Sequence, residues 1–193
     1  MLARIRQIVS AHDRLVIDVQ DRIPAAVLVP LIVREGELLF LMEKRTDKVD
    51  HHKGQISFPG GSTDPQDRDA IATALREAQE EVGLGPQQVE VLGLMDDIVT
   101  ITNFLVTPVV ASIPSDVQYR LSEFEVEEII EVPWSVFSKG PNHHTVMEHA
   151  GTEFDVDAYE HGGHVIWGAT ARIVRALVDL VESKSEAKLQ EVS

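Results

Sequence analysis

The chain has 193 residues, a formal net charge of −15 and no cysteine. This length suits one domain with a sizeable core, the lack of cysteine excludes disulfides and thiolate zinc sites, and the acidic balance argues against electrostatic binding of nucleic acid or anionic membranes. Residues 1–6 show no signal peptide and the apolar run 23–33 is too short to span a bilayer, so we expect a soluble, cytoplasmic protein.

The first part of the chain is predicted to form a short helix followed by strands. Apolar residues recur at helical spacing over residues 1–12, which indicates a helix on the outside of the domain. Apolar runs at 25–33 and 38–44 predict two strands joined by a turn at 34–37. Further strands are predicted over residues 55–58, 89–95, 97–101 and 104–111.

A helix is predicted between these two groups of strands, over residues 69–82, and a glycine follows its last turn. At about 100° per residue it has two distinct faces. Glu77, Glu80 and Glu81 gather on one side. The apolar residues that fall together on the packing side are Ile71, Ala74, Leu75, Ala78 and Val82.

The acidic face of this helix is unfavourable for stability. Like charges three and four residues apart repel, and carboxylates in the last turns face the negative end of the helix dipole. Arg76 can reach Glu80, but one guanidinium cannot neutralise three carboxylates. A solvated helix face is one interpretation. The other is a site for a divalent cation with oxygen ligands, for which Mg²⁺ or Mn²⁺ fits best.

The last third of the chain is predicted to contain a polar segment, a hairpin and a final helix. Residues 121–132 carry five glutamates and indicate a solvated loop or short helix. Strands are predicted over 145–149 and 153–159, and the final helix is predicted to open at 165–171. We interpret the nearby histidines as exposed or hydrogen-bonded rather than as a metal cluster. They are His143, His144, His149, His161 and His164.

The stretch from Gly61 to Leu84 resembles the Nudix box, usually written G-x5-E-x7-R-E-U-x-E-E-x-G-U with U aliphatic. The segment REAQEEVGL fills its second half, with Ala78 as a small apolar residue at the first U position. Asp67 stands where the box has its first glutamate, and the loop from there to Arg76 is one residue longer. We interpret Asp67 as a structural counterpart of that glutamate.

The longer loop and the residues before the box resemble one branch of the Nudix family, the coenzyme A pyrophosphatases. Their upstream signature reads approximately L-L-x-x-x-R-(S/T)-x-x-x-x-x-H-x-G-Q-(V/I)-x-F-P-G-G. This chain has FLMEKRT at 40–46 and HKGQISFPGG at 52–61. The resemblance extends over roughly residues 25–182, because the run IWGATARI near the end is also similar to the closing segment of this branch.

The resemblance implies a fold and a domain organisation. The expected fold is the Nudix α/β/α sandwich, with a central mixed β-sheet between helices and the box as a loop-helix-loop, whereas the residue pattern alone reaches only α/β or α+β. We expect a single Nudix hydrolase domain over 1–193, with a helical N-terminal extension at 1–22 and a polar tail at 183–193. Dimers are common in the family, so a homodimer is also suggested.

The resemblance further implies the roles of individual residues in a metal-dependent site. Glu77, Glu80 and Glu81, with a backbone carbonyl at Gly60 or Gly61, would hold Mg²⁺ or Mn²⁺ against a pyrophosphate. The general base stays open between Glu77, Glu80 and a glutamate of the acidic segment. In the acidic segment the candidate glutamates are Glu125 and, second, Glu128. Arg76 would orient a box glutamate. The residues that would bind the substrate are Arg45, His52, Lys53 and Gln55.

The implied reaction is hydrolysis of coenzyme A, and of acyl or oxidised derivatives, to 3′,5′-ADP and 4′-phosphopantetheine. Two alternatives remain open. The box alone specifies pyrophosphate and metal, so another nucleoside diphosphate derivative such as ADP-ribose or NADH could be the substrate. A catalytically silent Nudix module that binds a nucleotide and regulates a partner is disfavoured, because all three box glutamates are retained.

Overall fold

A computed structural model describes residues 1–48, 54–149 and 151–190 of the chain. Its α-helices are α1 (Leu2–Ser10), α2 (Ala70–Val82), the short α3 (Trp134–Ser138) and α4 (Gly168–Gln190), and a single 3-10 turn follows α2 at Pro86–Gln88. The strands before α2 are β1 (Ile23–Arg34), β2 (Glu37–Arg45), β3 (Ile56–Ser57) and β4 (Gly60–Ser62). Those after α2 are β5 (Glu90–Leu94), β6 (Ile98–Val99), β7 (Phe104–Ser112), β8 (Val126–Pro133), β9 (His143–His149), β10 (Thr152–His161) and β11 (His164–Ile166).

The main sheet is mixed and is built around β1. Its strand order is β3-β2-β1-β7-β5, and β4, β6 and β8 pair with β1, β7 and β2 respectively. The pairing of β1 with β7 is parallel, whereas the other pairings are antiparallel. Strands β9, β10 and β11 form a separate three-stranded sheet. The expected mixed central sheet between helices is therefore confirmed.

Alternation along the central strands builds a core on each face of the main sheet. In β1, Val29 and Leu31 pack in one core, whereas Leu28 and Ile32 pack in the other. This period of two is a consequence of the strand pleat. Residues of α1, α3 and α4 belong to the first core, and those of α2 to the second. Of the four α-helices in the described residues, only α2 lies on this side of the sheet, with its apolar stripe against β1.

Helix α2 has clear start and stop signals. The Asp69 side chain caps its first turn by accepting a hydrogen bond from the Ala72 amide at 2.8 Å. Gly83 ends the helix in the left-handed conformation, with φ of 76°, which suits a residue without a Cβ. The predicted bounds of this helix agree with the structure. The last turn contains no basic residue, so compensation of its acidic face must come from other elements.

Two expectations for the last third of the chain were wrong. Residues 126–133 form strand β8 rather than a loop or short helix, because the strand pairs along β2 and its charged side chains reach solvent, Arg34 or Lys44. Residues 165 and 166 end β11, and the final helix begins only at Gly168. The β9–β10 hairpin is longer than predicted.

No helix in the described part of the chain is long and apolar enough to cross a membrane.

Candidate active site

The Pro-Gly-Gly turn brings the backbone directly against the acidic face of α2. Strand β4 pairs antiparallel with β1, which places Gly60 opposite Val27. The Gly60 amide donates a hydrogen bond to Glu81 Oε2 at 2.8 Å. A Cβ on Gly61 would lie 2.5 Å from Glu77 Oε1, far inside van der Waals contact. The two glycines thus allow the turn to lie against two box carboxylates.

Arg76 links the loop before α2 to the acidic face of the helix. Its guanidinium donates to Asp67 at 3.0 to 3.3 Å, to Glu77 Oε1 at 2.8 Å and to Glu80 Oε2 at 3.2 Å. The hydrogen bonds from Arg76 hold the pKa of Asp67 at about 2, well below its ordinary value. Asp67 occupies the position predicted to be structural, and the catalytic role of Arg76 stays a prediction.

We expect Asp67→Asn to lower the free energy of unfolding by about 2 kcal/mol at pH 7. The substitution removes charge-assisted hydrogen bonds between Arg76 and the nearly buried Asp67 side chain. The depressed pKa means that the ionised carboxylate stabilises the folded state above pH 3.8 and that this contribution is lost as the pH falls through about 2. Urea titrations across that range should show the two proteins converging in acid. An equal difference at every pH would contradict this explanation.

Glu81 is the most enclosed carboxylate of the box. It is 1% exposed, and its Oε1 lies 2.9 Å from Arg45 Nη1 of β2. Burial raises the pKa of Glu81 to about 7, opposed by Arg45 and by the hydrogen bond from Gly60. Glu77 is less buried, yet burial also raises its pKa, and Arg76 lowers it in part. Glu80 is more exposed, with 57% of its side-chain surface accessible.

Glu43 is a site residue that the sequence analysis missed. It is 0% exposed, and its Oε1 lies 3.4 Å from Arg45 Nη1. Burial raises the pKa of Glu43 well above its ordinary value, and repulsion from Glu81 adds to this effect. A signal was available in the sequence, because the period of two in β2 puts Leu39, Leu41 and Glu43 on the face that packs against α2.

The segment before β8 brings a further glutamate close to the box. The Ser122 amide donates to the carbonyl of Glu81 at 2.8 Å, and the Thr46 amide donates to the carbonyl of Glu125 at 2.8 Å. The carboxylate of Glu125 contributes to the raised pKa values of Glu43 and Glu77, which places it within electrostatic reach of both. Glu128, the second candidate, instead lies 3.7 Å from Lys44 Nζ. The catalytic role of Glu125 stays a prediction.

The residues predicted to bind substrate are only partly described. Arg45 contacts Glu43 and Glu81 rather than pointing away from the box. Gln55 lies beside Arg45, because its carbonyl accepts a hydrogen bond from the Arg45 amide at 3.0 Å. His52 and Lys53 fall outside the described residues.

The donor set fits a divalent cation, although the carboxylates are directed at arginine in this arrangement. Within residues 1–48, 54–149 and 151–190, no group of three or more acidic or histidine side chains converges in metal-ligating geometry. Glu77 and Glu80 share Arg76, whereas Glu81 contacts Arg45. The carboxylates nevertheless outnumber the guanidinium groups. Among the described residues, Glu43 Oε2 is also buried without a hydrogen bond of normal geometry, an arrangement that a positive ligand would stabilise.

Comparison with known proteins agrees with this fold. Residues 22–144 match the family described as the NUDIX domain. The chain therefore belongs to the Nudix family of hydrolases. Its acid-faced helix lies against a glycine turn, on a mixed sheet between helices, as expected for this family. Members of this family generally use divalent metal cations, which agrees with the charge imbalance of the site.

Relatives match most of the chain. Over 163 residues it is 42% identical to the "uncharacterized Nudix hydrolase NudL" of an Enterobacter species, a match that covers 83% of each chain. The protein of the same name from Escherichia coli is 41% identical over 154 residues, or 79% of this chain and 80% of that one. A MutT/nudix family protein from Enterococcus faecalis has a TM-score of 0.54 at 16% identity, covering 89% of this chain and 66% of its own, which supports the fold alone.

Proposed function

We propose that the protein hydrolyses coenzyme A, and acyl or oxidised derivatives of it, to 3′,5′-ADP and 4′-phosphopantetheine. The observation that carries this proposal is the near-complete upstream signature, FLMEKRT at 40–46 and GQISFPGG at 54–61, which leads directly into the box. In the fold this signature adjoins the acidic face of α2, since Arg45 lies 2.9 Å from Glu81 and Gly60 donates to the same carboxylate.

The proposed chemistry depends on a divalent cation, Mg²⁺ or Mn²⁺, held by Glu77, Glu80 and Glu81 with a backbone carbonyl at Gly60 or Gly61. When bound, such a cation supplies charge neutralisation for the pyrophosphate and a lowered pKa for its water. Glycine at position 61 suits this role, because any side chain there would displace the Glu77 carboxylate.

The protein's own groups have separate tasks in this reaction. Water oxygen attacks one phosphorus of the pyrophosphate, the bridging P–O bond breaks, and a glutamate accepts the water proton. That glutamate is Glu77, Glu80 or Glu125, of which Glu77 and Glu125 lie within electrostatic reach of each other. Arg76 keeps Glu77 and Glu80 in place through hydrogen bonds at 2.8 and 3.2 Å.

The proposal assigns recognition of the nucleotide to the end of β2 and the segment that follows it. Arg45, His52, Lys53 and Gln55 would contact phosphate oxygens, including the 3′-phosphate of the adenosine, since a guanidinium can bind two such oxygens at once. The proposal also includes a cytoplasmic location, with which the absence of cysteine is consistent, and a homodimer.

The test is a substrate panel with purified protein and Mg²⁺ or Mn²⁺. Coenzyme A, dephospho-coenzyme A, ADP-ribose, NADH and a dinucleoside polyphosphate should be compared by chromatography of the products. We expect the highest kcat/KM for coenzyme A, with 3′,5′-ADP as a product. Dephospho-coenzyme A is the matched control for the 3′-phosphate, and we expect about tenfold lower kcat/KM for it because one charge-assisted contact is lost.

The outcomes separate the alternatives. If ADP-ribose or NADH is the best substrate, the family assignment stands and the upstream signature does not specify coenzyme A. If no compound is hydrolysed while nucleotides still bind, the silent regulatory module becomes the better interpretation.

A further inference from the structure

The acidic face of α2 is met by two charged residues from the neighbouring strand β2. Side chains at 39, 41, 43 and 45 share the face of β2 that packs against α2, and the first two are leucines of that core. The next two are Glu43 and Arg45. The apolar pattern therefore ends in a buried acid and an arginine directly beside Glu81.

One guanidinium nitrogen of Arg45 is shared between these two carboxylates. Arg45 Nη1 lies 2.9 Å from Glu81 Oε1 and 3.4 Å from Glu43 Oε1. Both carboxylates are essentially inaccessible to solvent. Arg45 thus occupies the position between two buried acids where a small cation would otherwise be expected.

Arg45 does not satisfy this pair. In the described structure, Glu43 Oε2 is buried and makes no hydrogen bond of normal geometry, although the Ser57 hydroxyl, opposite Glu43 on β3, lies close enough to interact with this carboxylate. A buried carboxylate oxygen without a partner is costly, and a second positive ligand would remove that cost. Glu43 is separate from the box in sequence, but it lies beside the box carboxylate Glu81, with which it shares Arg45 Nη1.

We propose that Glu43 forms, together with Glu81, the inner wall of the divalent-cation site, and that Arg45 occupies this wall as a competing internal cation until metal binds. Binding of the ion exchanges Arg45 away from the two carboxylates. Its guanidinium is then available to the phosphate oxygens of the substrate, so the arginine becomes ready for substrate only when the metal site is filled. This inference rests on the proposed function, because it assumes that the box binds a divalent cation.

The first experiment measures binding of Mn²⁺ alone, without substrate, from the loss of the free-ion signal in electron paramagnetic resonance. We expect Glu43→Gln to weaken Mn²⁺ binding by about tenfold, since it removes one buried ligand or neighbouring charge without changing side-chain shape. Glu127→Gln is the matched control. It removes the same charge from an exposed residue that pairs with Lys44, and we expect unchanged Mn²⁺ binding.

The second experiment tests the competition. We expect Arg45→Gln to tighten Mn²⁺ binding by about tenfold, because an internal competitor lowers the apparent affinity by the fraction of protein in which it occupies the site. Lys44→Gln is the control. It removes an equal charge from the neighbouring residue, whose side chain pairs with Glu127 and not with the box. Exchange is observed directly as a shift of the Arg45 side-chain NMR signal, assigned by its loss in Arg45→Gln, during a titration with Mg²⁺.

The outcomes distinguish this inference from the function on which it rests. If the unmodified protein binds no Mn²⁺, the metal-dependent function itself fails. If it binds Mn²⁺ but Glu43→Gln binds equally well, Glu43 is no part of the site. If the Arg45 signal does not shift at saturating Mg²⁺, or Lys44→Gln tightens binding as much as Arg45→Gln, the exchange is disproved. Cooperative thermal unfolding of each variant in chelator confirms that it is folded.

Discussion

Glu81→Gln is expected to lower hydrolysis by at least about 100-fold while the protein keeps its fold, since loss of a metal-binding group costs affinity and activity together. Glutamine has the shape of the glutamate that it replaces, and its amide oxygen can still accept the hydrogen bond from Gly60 at 2.8 Å. Burial raises the pKa of Glu81 to about 7, so the charged form is disfavoured in the folded protein, and a neutral glutamine offsets part of the cost of losing the ion pair with Arg45. The loss should therefore appear in catalysis and not in folding.

The measurement compares kcat, KM and the free energy of unfolding in chelator for Glu81→Gln and for Glu90→Gln. Glu90 pairs with Arg6 on the surface, so its replacement changes the net charge equally outside the box. We expect Glu90→Gln to hydrolyse substrate at the normal rate. Activity of Glu81→Gln within threefold of the unmodified protein would show that Glu81 is not a metal ligand, whereas loss of cooperative unfolding would mean that its contacts are needed for the fold.

The acidic helix could be predicted in detail because its signals are local. The cap, the apolar stripe and the terminal glycine all lie within one stretch of sequence, and α2 begins and ends as these signals indicate. The motif that surrounds the helix also predicts some contacts between distant residues, because its glycines and carboxylates stand at fixed spacings in the sequence. Gly60 and Glu81 are separated by 21 residues, yet the structure joins them by a hydrogen bond.

Non-local contacts account for what the sequence analysis missed. Residues 126–133 carry an acidic pattern that suits a solvated loop, but pairing with β2 stabilises a strand, and Arg34 accommodates Glu131 at 2.8 Å. Glu43 follows an apolar run and stands at a variable position of the upstream signature, so the signature assigns it no role. The period of two puts Glu43 on the same face of β2 as Leu39 and Leu41, but the sequence does not show that this face shares its core with α2.

The acidic composition of the chain takes on a more specific meaning at this site. A polyanionic substrate must approach a chain with a net charge of −15, and the described carboxylates around the box outnumber the arginines that contact them. Positive charge near the box is therefore needed both to stabilise the carboxylates in the folded protein and to bind the substrate. A bound cation relieves the repulsion between carboxylates and also provides the attraction that the substrate requires.

Gly60→Ala is expected to lower the free energy of unfolding by about 3 kcal/mol, at the upper end of the usual cost of overpacking. An added Cβ would lie 2.4 Å from the carbonyl oxygen of Ala26 and 2.6 Å from Cα of Val27. Both contacts are with the backbone of β1, the central strand, which cannot move without disturbing its neighbours. For a chain of this length we expect the melting temperature to fall by about 10 °C, measured by calorimetry.

Gly61→Ala is the matched comparison, because the same methyl group one residue later meets a side chain instead of a backbone. Its Cβ would lie 2.5 Å from Glu77 Oε1, at the flexible end of that side chain, so the carboxylate can move away for less than about 1 kcal/mol. Displacement of Glu77 by roughly 1 Å should nevertheless reduce kcat by about 100-fold. Equal losses of stability in the two variants would show that the turn tolerates no side chain at all, and that Gly61 is required for packing rather than for the position of a catalytic carboxylate.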